Sequence, residues 1–159
     1  MTTQQATEAS VRKSITVKAS VEHAFQVFTE GFDTWWPRGH HIGTAPLKKA
    51  IIEGRVGGRC YSEQIDGTEC PWGSVLAWEP HTRLVLEWGV NADWQYDPEL
   101  KTEIEVRFIA QGERTTRVEL EHRRLDRYGA RRDEMRRVYD TEGDWGKLLE
   151  SFARLAEQQ

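Results

Sequence analysis

The chain has 159 residues, of which 38% are hydrophobic and 30% are charged, and its formal net charge at pH 7 is −4. This size and composition match one soluble globular domain, and no apolar run approaches the roughly 20 residues needed to cross a bilayer, so the sequence predicts no membrane span. The acidic balance argues against nucleic acid as a partner, because phosphate-binding domains usually carry a net basic patch.

The N-terminal segment MTTQQATEAS is polar and has neither the basic start nor the apolar middle of a secretory signal. It predicts a short disordered tail over residues 1–10, followed by a single domain over residues 11–159. A cytoplasmic location is therefore expected.

The first elements are a strand and one or two short helices. Apolar and polar residues alternate over residues 11–17, which is typical of a strand. Ser20 is a suitable N-cap for a helix that should end near Gly31. The residues Phe32 to Trp36 predict one more helical turn, closed by Pro37.

The central part of the chain changes to strands separated by turn residues such as Gly57-Gly58 and Asp66-Gly67. Six further strands with short connections indicate an antiparallel meander, so the predicted sheet has about seven strands. The six predicted strands cover residues 47–53, 59–65, 72–79, 83–90, 102–110 and 116–125.

The strands alternate in a way that separates a covered face from a charged, wet face. A C-terminal helical pattern from about residue 131 to 157, interrupted near Gly143 and Gly146, predicts the amphipathic helix that covers the apolar face. The predicted inner face holds Leu84, Leu86, Trp88, Ile104, Val106, Phe108, Val118, Leu120 and His122.

Four stretches of the sequence resemble the helix-grip fold of the START and birch-pollen-allergen superfamily (SRPBCC). The branch is the AHSA type, named after the activator of the ATPase of the ninety-kilodalton heat-shock chaperone. The stretches are FDTWWP (32–37), VGGRCYSE (56–63), DGTECPWGSVLAWEPHTRLVLEW (66–88) and GDWGKLLESFARL (143–155). They do not include residues 91–101 or 123–137. The resemblance implies an α+β fold in which a curved antiparallel sheet wraps around a long C-terminal helix. It also implies a cavity between them that admits apolar or aromatic molecules in relatives.

Seven tryptophans in a chain of this length predict either a well-filled core or the wall of an aromatic pocket. His122, on the inner face, is either a histidine satisfied by a neighbouring hydroxyl or carbonyl group or a polar anchor for a ligand. The predicted pocket wall consists of Trp35, Trp36, Trp72, Trp88, Phe108, Trp145, Leu149 and Phe152.

The segment FDTWWPRGHHIG ends in two adjacent histidines, His40 and His41. Neighbouring residues of an extended chain point in opposite directions, and no other ligand falls at a zinc spacing, so we expect no metal site. Either the loop is a packed connection, or one imidazole, such as that of His40, is a polar group at the mouth of the pocket.

The favoured function is non-enzymatic binding of a small hydrophobic or aromatic molecule, because the sequence contains no nucleophile motif or phosphate loop and predicts no cofactor. One alternative is a protein-interaction module that regulates a chaperone ATPase through the arginine-rich segment 123–137, although its interspersed acids favour a solvated, ion-paired face. The other is a cyclase or aromatase that uses His122 for proton transfer. The sequence leaves open whether the protein is a monomer or a homodimer.

Overall fold

Seven strands form one antiparallel sheet in the order β1-β7-β6-β5-β4-β3-β2 in the computed structural model, which describes residues 10–36, 45–140 and 145–158. The strands are β1 Val11–Val17, β2 Leu47–Ile52, β3 Arg59–Gln64, β4 Glu69–Glu79, β5 Arg83–Trp88, β6 Thr102–Gly112 and β7 Thr115–Arg123. The helices are α1 Val21–Thr29, α2 Phe32–Trp35, α3 Arg132–Asp140 and α4 Trp145–Gln158, with a 3₁₀ helix over Leu125–Arg131.

Strands β2 to β7 follow one another as neighbours, whereas β1 joins the sheet beside β7 at the opposite edge from β2. The α1–α2 connection therefore runs from one edge of the sheet to the other. Both helices contact α4. This arrangement confirms the predicted α+β helix-grip fold, with a curved sheet of seven strands and a long C-terminal helix.

Local sequence signals explain where most of the early elements begin and end. The Ser20 hydroxyl oxygen accepts a hydrogen bond from the His23 backbone N–H (3.1 Å), which caps α1 as predicted. Strand β4 begins three residues earlier than predicted. Strand β7 ends earlier than predicted because Arg124 adopts a left-handed conformation (φ 62°) that turns the chain into the 3₁₀ helix.

The C-terminal helical pattern is divided into separate pieces. The backbone of Gly129 (φ 63°, ψ −126°) interrupts the 3₁₀ helix, which the sequence did not predict, and α3 then begins at Arg132. The predicted interruption between Asp140 and Trp145 falls on residues 141–144, which lie outside the described residues. Gly143 lies outside the described residues, and Gly146 lies inside α4.

The predicted inner face is buried throughout, and α1, α2 and α4 cover it. The outer face is not uniformly wet, which corrects the prediction. Glu105 on this face is only 5% exposed because the guanidinium groups of Arg83, Arg107 and Arg123 surround its carboxylate. Within the described residues, no helix has the length and hydropathy of a membrane span.

Candidate functional site

Five aromatic rings lie in a closed circuit between the inner face of the sheet and the start of α4. We call this group the tryptophan circuit, and it consists of Phe32, Trp36, Trp145, Trp88 and Trp72. The centroid distances around it are 4.8 Å for Phe32–Trp36, 6.1 Å for Trp36–Trp145, 5.7 Å for Trp145–Trp88, 5.2 Å for Trp88–Trp72 and 6.1 Å for Trp72–Phe32. All five side chains are buried.

Several elements bring these rings together. Helix α2 supplies Phe32 and its C-cap residue Trp36, and α4 begins at Trp145. Trp72 and Trp88 come from neighbouring strands that approach closely at Gly73, where any Cβ would collide with the carbonyl oxygen of Glu87. The approach requires glycine at position 73, and it places the two indoles side by side.

A chain of hydrogen bonds with one consistent direction joins the circuit to His122. The indole Nε1–H of Trp145 donates to Nδ1 of His122 (3.2 Å), and Nε2 of His122 lies 3.0 Å from Oγ1 of Thr102. The Thr102 hydroxyl donates its proton to the backbone carbonyl of Trp88 (2.8 Å), so it must accept from the imidazole. His122 is therefore the neutral tautomer that carries its proton on Nε2.

A second chain leads from the circuit toward the surface. The indole Nε1–H of Trp88 donates to the Tyr139 hydroxyl (3.0 Å), which lies 2.9 Å from the Tyr128 hydroxyl. Tyr128 donates to the carbonyl oxygen of Val90 (2.6 Å), so Tyr139 donates to Tyr128. We call Thr102, His122, Tyr128 and Tyr139 the polar network.

The polar network is uncharged. Burial lowers the pKa of His122 from 6.5 to about 3, because desolvation disfavours the imidazolium. Burial also raises the pKa of Tyr139 to about 12 and that of Tyr128 above its ordinary value. These groups therefore remain neutral around pH 7, and each hydrogen bond that joins them is a neutral one.

A second aromatic group, the phenylalanine cluster, lies on the α1 side of the same core. It consists of Phe25, Phe28, Phe108, Phe152 and Trp35. Phe28 contacts Phe152 at a centroid distance of 5.2 Å and Phe108 at 5.7 Å. The indole N–H of Trp35 donates to the Val27 carbonyl oxygen (3.0 Å), so the ring's polar atom is satisfied by backbone.

The predicted wall residues divide between these two groups. Trp36, Trp72, Trp88 and Trp145 lie in the circuit, and His122 lies beside it. Trp35, Phe108 and Phe152 belong to the phenylalanine cluster, and Leu149 is buried in the same core. His40 lies outside the described residues. Among the residues that the structure does describe, no three His, Cys, Asp or Glu side chains are grouped as a metal site requires.

Four further residues of the site are not predicted from the sequence: Phe32, Thr102, Tyr128 and Tyr139. Two of them carry a usable signal, because Thr102 continues the inward alternation of Ile104 and Tyr139 lies one helical turn after Met135. Tyr128 lies in the 3₁₀ helix and has no such periodic signal.

The arginines of segment 123–137 mostly contact nearby acids or backbone oxygens. Arg123 pairs with Glu103 and Glu105, and Arg131 pairs with Asp93 and Glu134. The Nε of Arg136 donates to the carbonyl oxygen of Ser10. These contacts agree with the interpretation of the segment as an ion-paired face.

Comparison with known proteins relates this geometry to a family. A family model described as "Activator of Hsp90 ATPase homolog 1-like protein" matches residues 18–157. The anthrahydroquino-gamma-pyrone synthase Txn09, solved in complex with SUM, is 40% identical with a TM-score of 0.65, and the match covers 92% of this chain and 96% of the synthase. None of the curated proteins matches the chain.

Two further solved structures are similar. The self-sacrificing resistance protein CalC from Micromonospora echinospora is 33% identical with a TM-score of 0.70, over 95% of this chain and 96% of CalC. The Aha1 dimer from Colwellia psychrerythraea is 20% identical with a TM-score of 0.62, over 93% of this chain and 96% of Aha1. At this lower identity the likeness shows the fold alone.

Proposed function

The chain belongs to the family of Activator of Hsp90 ATPase homolog 1-like proteins, in the AHSA-type helix-grip superfamily, and we propose that it binds a neutral, planar aromatic molecule without covalent chemistry. The ligand lies between the inner face of the sheet and α4, against the tryptophan circuit. The observation that carries the proposal is the circuit itself, in which four indoles and a phenyl ring surround one region of the core.

The ring angles support a site that can rearrange. Aromatic pairs prefer offset-stacked or edge-to-face geometries. In the circuit, the interplanar angles are 32° for Phe32–Trp36, 39° for Phe32–Trp72, 52° for Trp36–Trp145 and 54° for Trp72–Trp88. These tilted pairs are less favourable than stacked ones, so a planar ligand that displaces an indole and stacks against it gains a better ring geometry than the tilted pairs have.

The polar network supports a neutral ligand. None of the nine residues of the circuit and network is charged, so a buried ionic group on the ligand would lack a partner among them and would be costly to desolvate. Affinity then comes from apolar area, at about 25 cal/mol per Å² removed from water. Fatty acids and other buried anions are disfavoured for the same reason.

Of the three relatives described above, the one with the highest sequence identity supports the same ligand class. The name of the synthase describes a fused system of anthrahydroquinone and gamma-pyrone rings, which is planar and aromatic. Extending that class of molecule to this chain is part of the proposal. Any ionic substituent of the ligand has to remain outside the circuit, because no charged residue of the circuit or the polar network could pair with it.

The test is a titration of the intrinsic tryptophan fluorescence with a panel of probes. The panel contains 2-(hydroxymethyl)anthraquinone, anthraquinone-2,6-disulfonate, a flavonoid, a steroid and oleate, and N-acetyltryptophanamide corrects for light absorbed by the probe. We expect saturable quenching by the neutral anthraquinone and at least tenfold weaker binding of the disulfonate. A folded protein that responds to no probe, or that prefers oleate, would contradict the proposal.

The family description favours a second candidate, activation of a chaperone ATPase. This function would use charged surface residues rather than the circuit. It would be recognised by salt-sensitive binding to the chaperone together with stimulated ATP hydrolysis. The ion-paired arginines offer it less support than the circuit offers ligand binding, because much of their charge is already engaged within the chain.

Catalysis at the same site is the remaining alternative, with His122 as the acid–base residue. Both of its ring nitrogens are engaged, and the Trp145 indole can only donate, so Nδ1 has no free lone pair to accept a proton. If His122 did transfer protons, H122A would abolish turnover and leave ligand affinity largely intact. Unchanged turnover would exclude that role.

A further inference from the structure

Two segments pack against each other beside the site. One is the connection between β5 and β6, residues 89–101, and the other is the segment 125–140. Tyr128 donates to the carbonyl oxygen of Val90 (2.6 Å), and Arg127 Nη1 donates to that of Lys101 (2.8 Å). Arg131 pairs with Asp93 (2.9 Å). The two segments therefore form one continuous surface.

Trp94 is the exposed tryptophan at this surface, with 48% of its area accessible to solvent. Its backbone is left-handed (φ 61°), a conformation that is sterically unfavourable for a residue of this size. Asn91 holds the turn, because its Oδ1 accepts from the backbone N–H groups of Asp93 and Gln95 (3.0 Å each) and its carbonyl accepts from that of Trp94 (3.0 Å). The loop therefore presents Trp94 in a fixed position.

The Trp94 ring continues the aromatic path out of the core. It meets Tyr139 edge to face, at a centroid distance of 6.3 Å and an angle of 86°. Tyr139 lies 6.2 Å from Trp88, which belongs to the circuit, and accepts the hydrogen bond of its indole. Two ring contacts thus link the exposed Trp94 to Trp88 of the circuit. An exposed indole held in a strained conformation above a buried site suits recognition of an aromatic group.

We propose that Trp94 and Tyr139 form the rim through which the aromatic ligand reaches the circuit, and that Trp94 contacts the bound molecule. The Asp93–Arg131 ion pair links the two segments across this rim and restricts its opening. This inference rests on the proposed function and adds where the ligand enters and which residues select it. It also differs from the sequence-based expectation of a mouth near His40.

The first experiment measures affinity for 2-(hydroxymethyl)anthraquinone by isothermal titration calorimetry, which does not depend on tryptophan emission. W94A should weaken binding about tenfold through loss of the ring contact, and W94F should recover most of it. Both variants should keep the wild-type unfolding midpoint, because the ring is exposed. The matched control is I65A, which removes another exposed apolar side chain, from the β3–β4 turn.

The second experiment measures association and dissociation rates of the same probe by stopped flow. D93N removes the ion pair and should raise both rates severalfold with little change in Kd, because it opens the rim without altering the site. D133N is the control, since Asp133 is an exposed acid at the start of α3 and forms no ion pair among the described residues.

The outcomes separate this inference from the function on which it rests. If W94A bound the probe as tightly as the wild type, the proposed role of Trp94 at the rim would be wrong and the circuit would remain the site. Protein docking would then be the better role for Trp94. The proposed rim would also be wrong if D93N and D133N had the same association and dissociation rates for the probe. Absence of probe binding to the folded wild-type protein would overturn both proposals.

Discussion

The phenylalanine cluster and the tryptophan circuit share one core but are built differently. The cluster packs mainly edge to face, with angles of 81° for Phe28–Phe108, 70° for Phe28–Phe152 and 67° for Trp35–Phe152. The circuit contains tilted pairs, and two of its rings, Trp88 and Trp145, are hydrogen-bonded to the polar network. The cluster therefore has the geometry of structural packing, and the circuit has that of a site with defined polar contacts.

The contrast shows why burial alone does not identify a binding site. Phe152 is 0% exposed and Trp88 is 8% exposed, so both are core residues by area. They differ in what surrounds them, since Phe152 is packed by apolar rings and the Trp88 indole donates to a buried hydroxyl. Substitutions in the phenylalanine cluster should therefore change stability alone, whereas substitutions around the circuit should also change probe binding.

Phe152 gives the largest expected effect, on stability alone. F152A creates a cavity between Phe28 and Trp35 and should lower the free energy of unfolding by about 3–5 kcal/mol. F152L should cost less than about 1.5 kcal/mol, because it fills more of the space. Urea unfolding measures both changes. Calorimetry on folded F152L should give wild-type probe affinity, and a tenfold loss would show that the cluster is part of the site.

The polar network should appear in the dependence of stability on pH. The pKa of His122 in the folded protein is about 3, below its ordinary 6.5, so the unfolded chain binds a proton that the native state excludes. Stability is therefore fully present above pH 6.5 and falls as the pH decreases, by about 2 kcal/mol at pH 5. This window lies above the ordinary pKa range of carboxyl groups.

The measurement is urea unfolding at half-unit steps between pH 7.5 and pH 5. The wild type should lose stability over this range, and H122N should lose about 2 kcal/mol less because the titrating group is gone. H81N removes a histidine from the exposed β4–β5 turn and serves as the matched control. Equal pH dependence in the wild type and H122N would show that His122 accepts a proton in the folded protein.

Substitution of Tyr139 should change both stability and binding. Y139F removes the acceptor of the Trp88 indole N–H and leaves that donor unpaired, at a cost of about 1–3 kcal/mol. Probe binding should also weaken, because the indole is no longer held in position. Y61F removes a hydroxyl outside the network and should alter stability by less than about 0.5 kcal/mol. Thermal melts and calorimetry compare the two variants. Equal changes in stability and probe affinity in Y139F and Y61F would show that the Tyr139 hydroxyl does not position the Trp88 indole.

The sequence predicts the fold well because alternation and helical periodicity determine which side of an element faces the core. Ile104, Leu120 and His122 all lie on the predicted inner face. The same patterns do not determine which inward residues touch. The rings of Trp35 and Trp36 touch each other at 5.7 Å, so the two groups are in contact here. Trp35 also packs on Phe28 and Phe152 of the cluster, whereas Trp36 packs on Trp145 of the circuit.

The polar network was the least predictable part of the site. The hydrogen bonds of Tyr128 and Tyr139 depend on the left-handed turn at Arg124 and on the 3₁₀ helix that carries Tyr128. No periodic pattern in the sequence predicts either feature. The direction of each hydrogen bond follows only from the atoms that meet. Strand register alone predicts that His122 faces the core, whereas its neutral state follows from its hydrogen bonds with Trp145 and Thr102.

Site-resolved NMR of the indole N–H groups compares the two regions in one experiment. The protein is labelled with ¹⁵N at tryptophan Nε1, the seven signals are assigned by Trp→Phe substitution, and 2-(hydroxymethyl)anthraquinone is added to saturation. Binding at the circuit should shift the signals of Trp36, Trp72, Trp88 and Trp145 strongly and leave Trp78, which packs on Phe25, nearly unchanged. Shifts confined to Trp35 and Trp78, or no shift at all, would contradict a ligand site at the circuit.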